Sequence, residues 1–193
     1  MTAATNLKGP DPFRLAAVIG SVTPPGRLRR AVAEALDRAA TETTLVDLAE
    51  HPLPFAGTGT PDAPALHAIA DADAVLLATP IYRGTYTGAL KNLLDLLPVE
   101  ALQGKAVALV AMGATDHHSL GADWHLRDVL AWFGAVVAPT GVYLTSRDFE
   151  DGAPSERAER TLDELLAGLS ALAGALPTQL GPPPLAARPR TGA

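Results

Sequence analysis

Short apolar runs alternate with helix-type patterns along most of the chain. This alternation is typical of a parallel β-sheet that carries helices on both faces. The third run is apolar without interruption, which indicates a central strand that is buried on both sides. The predicted strands are Arg14–Gly20, Thr43–Leu48, the run that ends at Thr79, Gly104–Gly113 and the outer stretch Ala135–Leu144, in which Pro139 marks a sheet edge.

Between these strands, apolar residues recur with the period of a helix. We expect Asp62, Thr87 and Ser155 to be the N-caps of the second, third and last helices, because short side chains with an oxygen accept hydrogen bonds from the first free N–H groups. The predicted helices are Arg27–Ala40, Pro64–Asp71, Gly88 to about Leu97, Ser119–Phe133 and a last helix that reaches about Ala175.

Five strands in regular alternation with helices predict an α/β fold, the flavodoxin-like three-layer sandwich with a five-stranded parallel sheet of order 2-1-3-4-5. In such a sheet the ligand lies beyond the C-terminal strand ends, near the switch between the first and third strands. The loops after Gly20, Thr79 and Gly113 are therefore expected to form the site. We predict a single domain over residues 1–176, followed by a mobile Pro-rich tail over residues 177–193.

Composition narrows the classes of partner. The 193 residues carry a formal net charge of -6 without a basic stripe, which argues against nucleic acid. The chain contains no cysteine, so redox chemistry would have to come from a cofactor. The first residues lack the basic start and apolar stretch of a signal peptide, and no apolar run approaches a membrane span. We therefore expect a cytoplasmic protein that acts on small molecules, without a membrane partner.

The turn between the first strand and the first helix contains Ser21, Thr23 and Arg27. Hydroxyl groups, a guanidinium and the N-terminus of a helix together favour an anion such as a phosphate. The turn matches neither the dinucleotide fingerprint nor the Walker loop, because its glycines are spaced for neither. Asp47 is a weak candidate for a ribose ligand, and a plain strand-to-helix turn is the alternative interpretation of this loop.

The loop after the third predicted strand begins with Pro80, Ile81 and Tyr82. Pro80 fixes the backbone, and the next two side chains offer an apolar face at the edge of the sheet. A planar heterocycle needs such a face together with backbone hydrogen bonds at its rim. This loop therefore predicts a site for a flat ring.

The same segment, TPIYRGTYTGALKNLLDLLP at residues 79–98, resembles the signature of the NAD(P)H-dependent FMN reductases, in particular those of the sulfonate-utilisation type. The family pattern is TP, then Ile or Val, Tyr, several residues and GALKxLLDLLP, and every fixed position is present. The resemblance continues through LQGKAVALVAMGAT and covers about residues 15–143. It implies a flavodoxin-like fold, FMN as substrate or cofactor, NADPH or NADH as hydride donor, and a homodimer or homotetramer.

The resemblance also implies the binding residues. The first loop would hold the FMN phosphate, and the loops after the third and fourth strands would border the ribityl chain and the ring. Trp124 stands where relatives often carry Tyr, at a π-bulge near the flavin and the subunit interface, although a core or interface Trp is the alternative. The implied set is Ser21, Thr23, Gly26, Arg27, Leu28, Thr79, Pro80, Ile81, Tyr82, Arg83, Gly113, Ala114, Thr115 and Trp124.

The first loop departs from the family pattern at three positions. Thr23 replaces an Arg, Gly26 replaces a Ser, and Leu28 replaces a residue with a hydroxyl. Each lost donor removes a hydrogen bond that could contribute about 0.5–3 kcal/mol. We therefore expect FMN to be held weakly, as suits a flavin that is shuttled as a substrate; complete loss of flavin binding is the extreme case.

The resemblance implies hydride transfer from NAD(P)H to FMN and delivery of the reduced flavin to an FMNH2-dependent monooxygenase of a two-component system. We expect no catalytic side chain, because holding the two rings at close distance supplies most of the rate. Two alternatives stay open. One is a flavodoxin-like electron carrier with FMN bound, and the other is a quinone or azo reductase that keeps its FMN.

Two other kinds of site are disfavoured. Asp116, His117, His118, Asp123 and His125 are candidate metal ligands, but His118 and His125 are two helical turns apart, so we expect a solvated cluster and no metal site. The serine of the HHSLG stretch lacks the first glycine of a nucleophile elbow and has no assigned partner acid, which disfavours hydrolysis.

Overall fold

The structure is a computed structural model that describes residues 13–24, 26–59, 61–116, 119–177 and 180–182. The expectations for residues 1–12, for His117 and His118 and for most of the Pro-rich tail lie outside these ranges. The domain boundary at residue 176 and the mobility of the tail therefore stay predictions. Within the described ranges, no helix has both the length and the apolarity that crossing a bilayer requires.

A parallel sheet forms the centre of the fold, and helices connect its strands. The strands are β1 (Arg14–Ile19), β2 (Glu42–Asp47), β3 (Ala74–Pro80), β4 (Ala106–Met112), β5 (Val136–Val137) and β6 (Val142–Leu144). The helices are α1 (Arg27–Arg38), α2 (Pro64–Asp71), α3 (Gly88–Leu96), α4 (Ser119–Trp132) and α5 (Glu156–Ala175). A 3-10 turn (Ser146–Asp148) and an antiparallel ribbon, β7 (Phe149–Glu150) with β8 (Ala153–Pro154), were not predicted from the sequence.

The strand order is β2-β1-β3-β4-β5, and β6 also pairs with β4. This confirms the flavodoxin-like order 2-1-3-4-5. The outer strand differs from the prediction, because residues 135–144 form two short strands that each pair in parallel with β4. Pro139 lies between them, where its missing N–H removes no ladder hydrogen bond.

Alternate residues of β1 supply two separate core clusters, one on each face of the sheet. Leu15, Ala17 and Ile19 pack with α1 and α5, whereas Ala16 and Val18 pack with α2, α3 and α4. Neighbouring residues of a strand point to opposite faces, so this alternation buries the strand on both sides. The result is the expected three-layer α/β sandwich.

The expected helix caps are confirmed at two of three positions. Thr87 and Ser155 cap α3 and α5 through their side-chain oxygens. The expected cap at Asp62 is wrong, because Ala63 is the N-cap of α2 and makes no side-chain cap bond. Asp62 instead lies 3.0 Å from the ring of His67. The helix begins on a proline, whose fixed φ and missing N–H suit a first turn.

Candidate active site

The carboxyl ends of β1, β3 and β4 meet at one edge of the sheet, and the loops that follow them surround a cleft of about 560 Å³. This volume falls within the range of about 300–1,000 Å³ typical of small-molecule sites. The position agrees with the sequence-based expectation, which placed the ligand beyond these strand ends.

Thr87 joins the loops that follow β1 and β3. Its hydroxyl donates to the carbonyl oxygen of Gly20 at 2.5 Å, and its backbone N–H donates to the hydroxyl of Thr79 at 3.2 Å. Both threonines are buried. Gly20 has no room for a side chain, because a Cβ there would lie 2.7 Å from the Cβ of Leu90. The relative placement of the two loops is therefore set by groups behind the cleft.

The β1 end of the cleft carries hydrogen-bond donors and positive charge. The hydroxyls of Ser21 and Thr23 lie 2.9 Å apart. Gly26 lines the cleft as the N-cap of α1 and offers the first N–H groups of that helix no side-chain acceptor. Arg27 follows, with its guanidinium 5.3 Å from the ring centroid of Phe149, and the first turn contains no acidic residue. The helix dipole and Arg27 therefore both favour an anion here.

Arg29 and Asp47 extend this end of the cleft as a pair. The Arg29 Nε atom lies 3.3 Å from the Asp47 carboxylate, and the guanidinium also lies 3.3 Å from Glu50. The Asp47 carboxylate is buried and accepts a hydrogen bond of 2.9 Å from the backbone N–H of Ala49. The sequence did not indicate Arg29 as a binding residue. It lies two positions after Arg27, and residues two apart on a helix point to different sides, so only the approach of β2 brings Arg29 to the cleft.

The opposite end of the cleft is an apolar wall formed by Pro80, Ile81, Tyr82 and Met112. The N–H of Ile81 donates to the Met112 carbonyl at 2.8 Å, which continues the pairing of β3 and β4 past the strand ends. Tyr82 is 47% exposed, more than Pro80 and Ile81 before it. An aromatic side chain held half-exposed at a cleft is suited to contact a flat ligand.

A tight turn at Tyr82–Thr85 fixes the orientation of this wall. The two terminal residues exchange backbone hydrogen bonds of 2.9 and 3.3 Å, and the two central residues, Arg83 and Gly84, adopt φ values of 56° and 83°. Positive φ at both central positions is the type I′ pattern. The N-terminal part of α4 packs on this turn so closely that a Cβ at Gly121 would lie 2.2 Å from the Gly84 carbonyl oxygen.

The loop after β4 packs against the edge strand β6. The N–H of Gly113 donates to the Leu144 carbonyl at 2.9 Å, and the Tyr143 hydroxyl donates to the Thr115 carbonyl at 2.7 Å. Burial, with a smaller contribution from the charge of Asp116, raises the pKa of Tyr143. The phenol therefore stays protonated and able to donate at neutral pH.

Most of the residues expected to bind a ligand line the cleft. These are Ser21, Thr23, Gly26, Arg27, Leu28, Pro80, Ile81, Tyr82, Gly113 and Ala114. Thr79 is buried behind the cleft, while Arg83, Thr115 and Trp124 are exposed beyond its lining. The structure adds four residues that the sequence did not indicate as binding residues, namely Ile19, Pro24, Arg29 and Met112, and it places Asp47, the candidate ribose ligand, in the lining as well.

Trp124 lies on α4 and is 74% exposed. The helix is a continuous α-helix over Ser119–Trp132, so the π-bulge expected near Trp124 is wrong for this helix. The adjacent His125 contacts the turn after β3 through its Nδ1 atom, 2.8 Å from the Thr85 hydroxyl. Within one chain, α4 therefore supports the wall of the cleft through His125, while Trp124 lies on the solvent-exposed side of the helix.

The described members of the Asp/His cluster bind different partners. Asp116 pairs with Arg147, Asp123 with Arg127, and His125 with the hydroxyl of Thr85. Over the part of the chain that the structure describes, no group of three His, Asp or Glu residues is arranged to hold a metal ion.

Comparison with known proteins identifies the family. The family model described as NADPH-dependent FMN reductase matches residues 13–150. The chain belongs to this family. The resemblance noted from the sequence is thereby confirmed, and with it an NAD(P)H:FMN oxidoreductase whose reactants are FMN and a reduced nicotinamide nucleotide.

Individual relatives support this assignment. An FMN reductase (NADPH) from Pseudomonas aeruginosa is 35% identical over 151 residues, which span 73% of this chain and 81% of the relative. The NADH-dependent FMN reductase SfnF from Pseudomonas fluorescens is 45% identical over 86 residues, 45% of this chain and 46% of the relative. Among solved structures, the apo form of the NADH:FMN oxidoreductase EMOB superposes with a TM-score of 0.69 at 26% identity, covering 86% of this chain and 91% of that one.

The cleft of this family member fits FMN by the chemistry of its two ends. Hydroxyls, a guanidinium and a helix N-terminus at the β1 end suit a phosphate, and the apolar wall at the β3–β4 end suits a flat ring. FMN carries these two groups on one molecule. The arrangement therefore supports binding with the phosphate over β1 and the ring over β3 and β4.

Proposed function

We propose that the protein transfers hydride from NADPH or NADH to FMN in this cleft and releases the reduced flavin to an FMNH2-dependent monooxygenase. One observation carries the proposal: a single cleft joins an anion-binding end to an apolar wall. We place the reaction in the cytoplasm, where reduced nicotinamide nucleotides are regenerated.

In this proposal the phosphate binds at the start of α1. Ser21 and Thr23 donate hydroxyl hydrogen bonds, Arg27 supplies a charge-assisted donor, and the backbone that follows Gly26 adds N–H groups. Leu28 is buried beneath the loop and holds the first turn of the helix against the sheet.

The ring binds at the other end of the cleft. Pro80, Ile81 and Tyr82 supply the apolar contact, and the backbone of Ala114 supplies a donor at the rim, whereas the Gly113 N–H is already bound to the Leu144 carbonyl. Such donors stabilise negative charge that develops on a ring during reduction.

The chain contributes binding and orientation rather than acid–base chemistry. FMN, when bound, supplies the ring that accepts the hydride. Among the described lining residues, the one buried carboxylate is Asp47, which is engaged by Arg29 and by a backbone N–H at the phosphate end. The rate enhancement therefore comes from holding the two reactants in register.

The departures at Thr23, Gly26 and Leu28 support release of the flavin. Gly26 and Leu28 offer no side-chain donor, and Thr23 offers a hydroxyl in place of a guanidinium. Fewer and weaker phosphate contacts favour exchange of FMN with solution. This supports FMN as a substrate over FMN as a permanently bound group.

We also propose a homodimer or homotetramer that uses the exposed side of α4. Trp124 and Trp132 are 74% and 54% exposed. They are eight residues apart, a little over two turns, so they lie on the same side of the helix. Two exposed Trp residues on one helix face are typical of a surface that is covered in an assembly.

The test is oxidation of NADPH and of NADH under air, measured while FMN is added from zero. We expect a rate that depends on FMN and saturates, from a protein that is colourless as purified. A yellow protein that reduces quinones or azo dyes without added FMN would support the bound-flavin alternative. Absence of oxidation at every FMN concentration would contradict the proposed reaction.

Delivery to a partner is tested separately. An FMNH2-dependent monooxygenase is placed across a dialysis membrane from the protein, under limited oxygen, so that only free flavin connects the two. Monooxygenase product on the far side supports release into solution. FMN-dependent oxidation without any product there contradicts delivery by free diffusion and leaves the reductase activity standing.

A further inference from the structure

Tyr143 lies against the loop Gly113–Asp116 and contacts it at two places. An added Cβ at Gly113 would come within 1.9 Å of the phenolic oxygen, and the phenol donates a 2.7 Å hydrogen bond to the carbonyl oxygen of Thr115. The next residue of β6, Leu144, accepts a 2.9 Å hydrogen bond from the Gly113 N–H. The edge strand thus holds the loop by two hydrogen bonds and one close packing contact.

Tyr143 is not part of the cleft lining, whereas Gly113 and Ala114 are. Any effect of the phenol on a ligand must therefore pass through the backbone of the loop. We propose that Tyr143 is a positioning residue for the flavin, acting through the loop Gly113–Asp116. This inference rests on the proposed function, because the loop borders a flavin only when FMN occupies the cleft.

The hydrogen bond from Tyr143 fixes the orientation of the peptide between Thr115 and Asp116. The phenol occupies the Thr115 carbonyl oxygen, which is an acceptor. The described chain contains no cis peptide bond, so the N–H of Asp116 points away from the side on which that carbonyl lies. Fixing this peptide keeps the carbonyl turned toward Tyr143, so the loop keeps one backbone conformation where Gly113 and Ala114 line the cleft.

The phenol is in the donor form at neutral pH because the pKa of a tyrosine is about 10 even in water, and its surroundings raise it further. Burial is the main cause of the raised pKa of Tyr143, and the carboxylate of Asp116 adds to it. Asp116 itself pairs with Arg147 at 3.4 Å, on the exposed side of the same loop. Because both side chains of this pair are largely exposed, the pair adds little, and the contacts with the edge strand are what hold the loop.

The test compares Tyr143→Phe with a matched control. The Phe variant removes the hydroxyl and keeps the ring, while Ser170→Ala removes a hydroxyl that donates to the Leu166 carbonyl at 3.0 Å within α5. The first readout is hydrogen exchange of the amides of residues 113–116 in the ligand-free protein. The second is the dissociation constant for FMN, from quenching of flavin fluorescence.

We expect Tyr143→Phe to speed exchange at the Gly113 amide and to weaken FMN binding about 3- to 10-fold, as loss of one hydrogen bond predicts. Ser170→Ala should change neither. Should the Phe variant not fold, Gly113→Ala displaces the phenol from the other side, and it should produce the same two changes.

Unchanged exchange together with an FMN dissociation constant within twofold of wild type would overturn the positioning role. The two proposals fail in different ways. A wild-type protein that does not bind FMN contradicts the proposed function and the positioning role that depends on it. A wild-type protein and a Tyr143→Phe variant that bind FMN equally well contradict the positioning role alone.

Discussion

The hydroxyl of Thr87 donates a 2.5 Å hydrogen bond to the carbonyl oxygen of Gly20, across 67 positions of sequence. The Thr87 hydroxyl oxygen in turn accepts a hydrogen bond of 3.1 Å from the N–H of Leu90 in the first turn of α3. One buried side chain therefore fixes the start of the loop after β1 and caps the helix after β3. The distance between the β1 end and the β3–β4 end of the cleft depends on this residue.

Thr87→Val should lower the free energy of unfolding by about 1–3 kcal/mol, because it removes a helix cap and leaves the Gly20 carbonyl without its donor. It should also raise the KM for FMN, since the two loops lose their fixed relation. Thr87→Ser keeps the hydroxyl and is the control. Urea unfolding measures the effect, and equal stability of the Val and Ser variants would contradict it.

Gly121 and Gly168 are two glycines inside helices whose surroundings differ. A Cβ at Gly121 would lie 2.2 Å from the Gly84 carbonyl, whereas nothing lies within 4 Å of one at Gly168. Gly121→Ala should destabilise the fold by about 1–3 kcal/mol by pushing α4 from the turn. Gly168→Ala should stabilise it by about 0.5–1 kcal/mol, as Ala does in a helix interior. Thermal unfolding that ranks the two variants the other way would refute the close approach.

Arg27→Gln should discriminate FMN from riboflavin. If the guanidinium binds the phosphate, its loss raises the KM for FMN about 10-fold or more and leaves the KM for riboflavin unchanged. Arg30→Gln is the control, because Arg30 lies on the same turn but pairs with Glu34 at 2.7 Å and does not line the cleft. Equal effects of Arg27→Gln on both flavins would place the phosphate elsewhere.

Replacing Trp124 and Trp132 with Ser should weaken self-association, because it removes the two large apolar side chains from the exposed side of α4. Phe55→Ser removes an apolar side chain that is 81% exposed in the loop before α2, and it should leave assembly unchanged. Sedimentation velocity measures the mass of each variant. An unchanged mass for the double Trp variant would exclude this face of α4 as the interface.

The sequence predicted the elements whose signals are local. The apolar run of β3 and the caps at Thr87 and Ser155 appear where the pattern placed them, since burial on both faces and capping chemistry each depend on a few neighbouring residues. The cap at Asp62 was wrong because α2 begins at Pro64, as predicted, so the residue directly before it, Ala63, is the N-cap, and the Asp62 carboxylate contacts His67 instead. The residue type favoured Asp62, but the cap position depends on where the helix starts.

The contacts between segments that are distant in sequence could not be predicted from the hydrophobic and polar pattern. Nothing in the residue order indicates that Tyr143 lies on Gly113, or that Arg29 reaches Asp47, because each pair meets only after the sheet has formed. The division of the outer strand into β5 and β6 around Pro139 likewise depends on how these strands pair with β4. Local chemistry therefore located the cleft, while the groups that shape it required the structure.

A crystal structure of the protein grown with FMN would test the proposed binding mode most directly. We expect the phosphate within hydrogen-bond distance of Ser21, Thr23 and Arg27, and the ring against Ile81 and Tyr82 with the Gly113 loop at its rim. FMN bound outside this cleft, or bound in it with the ring over β1 and the phosphate over β3, would contradict this binding mode.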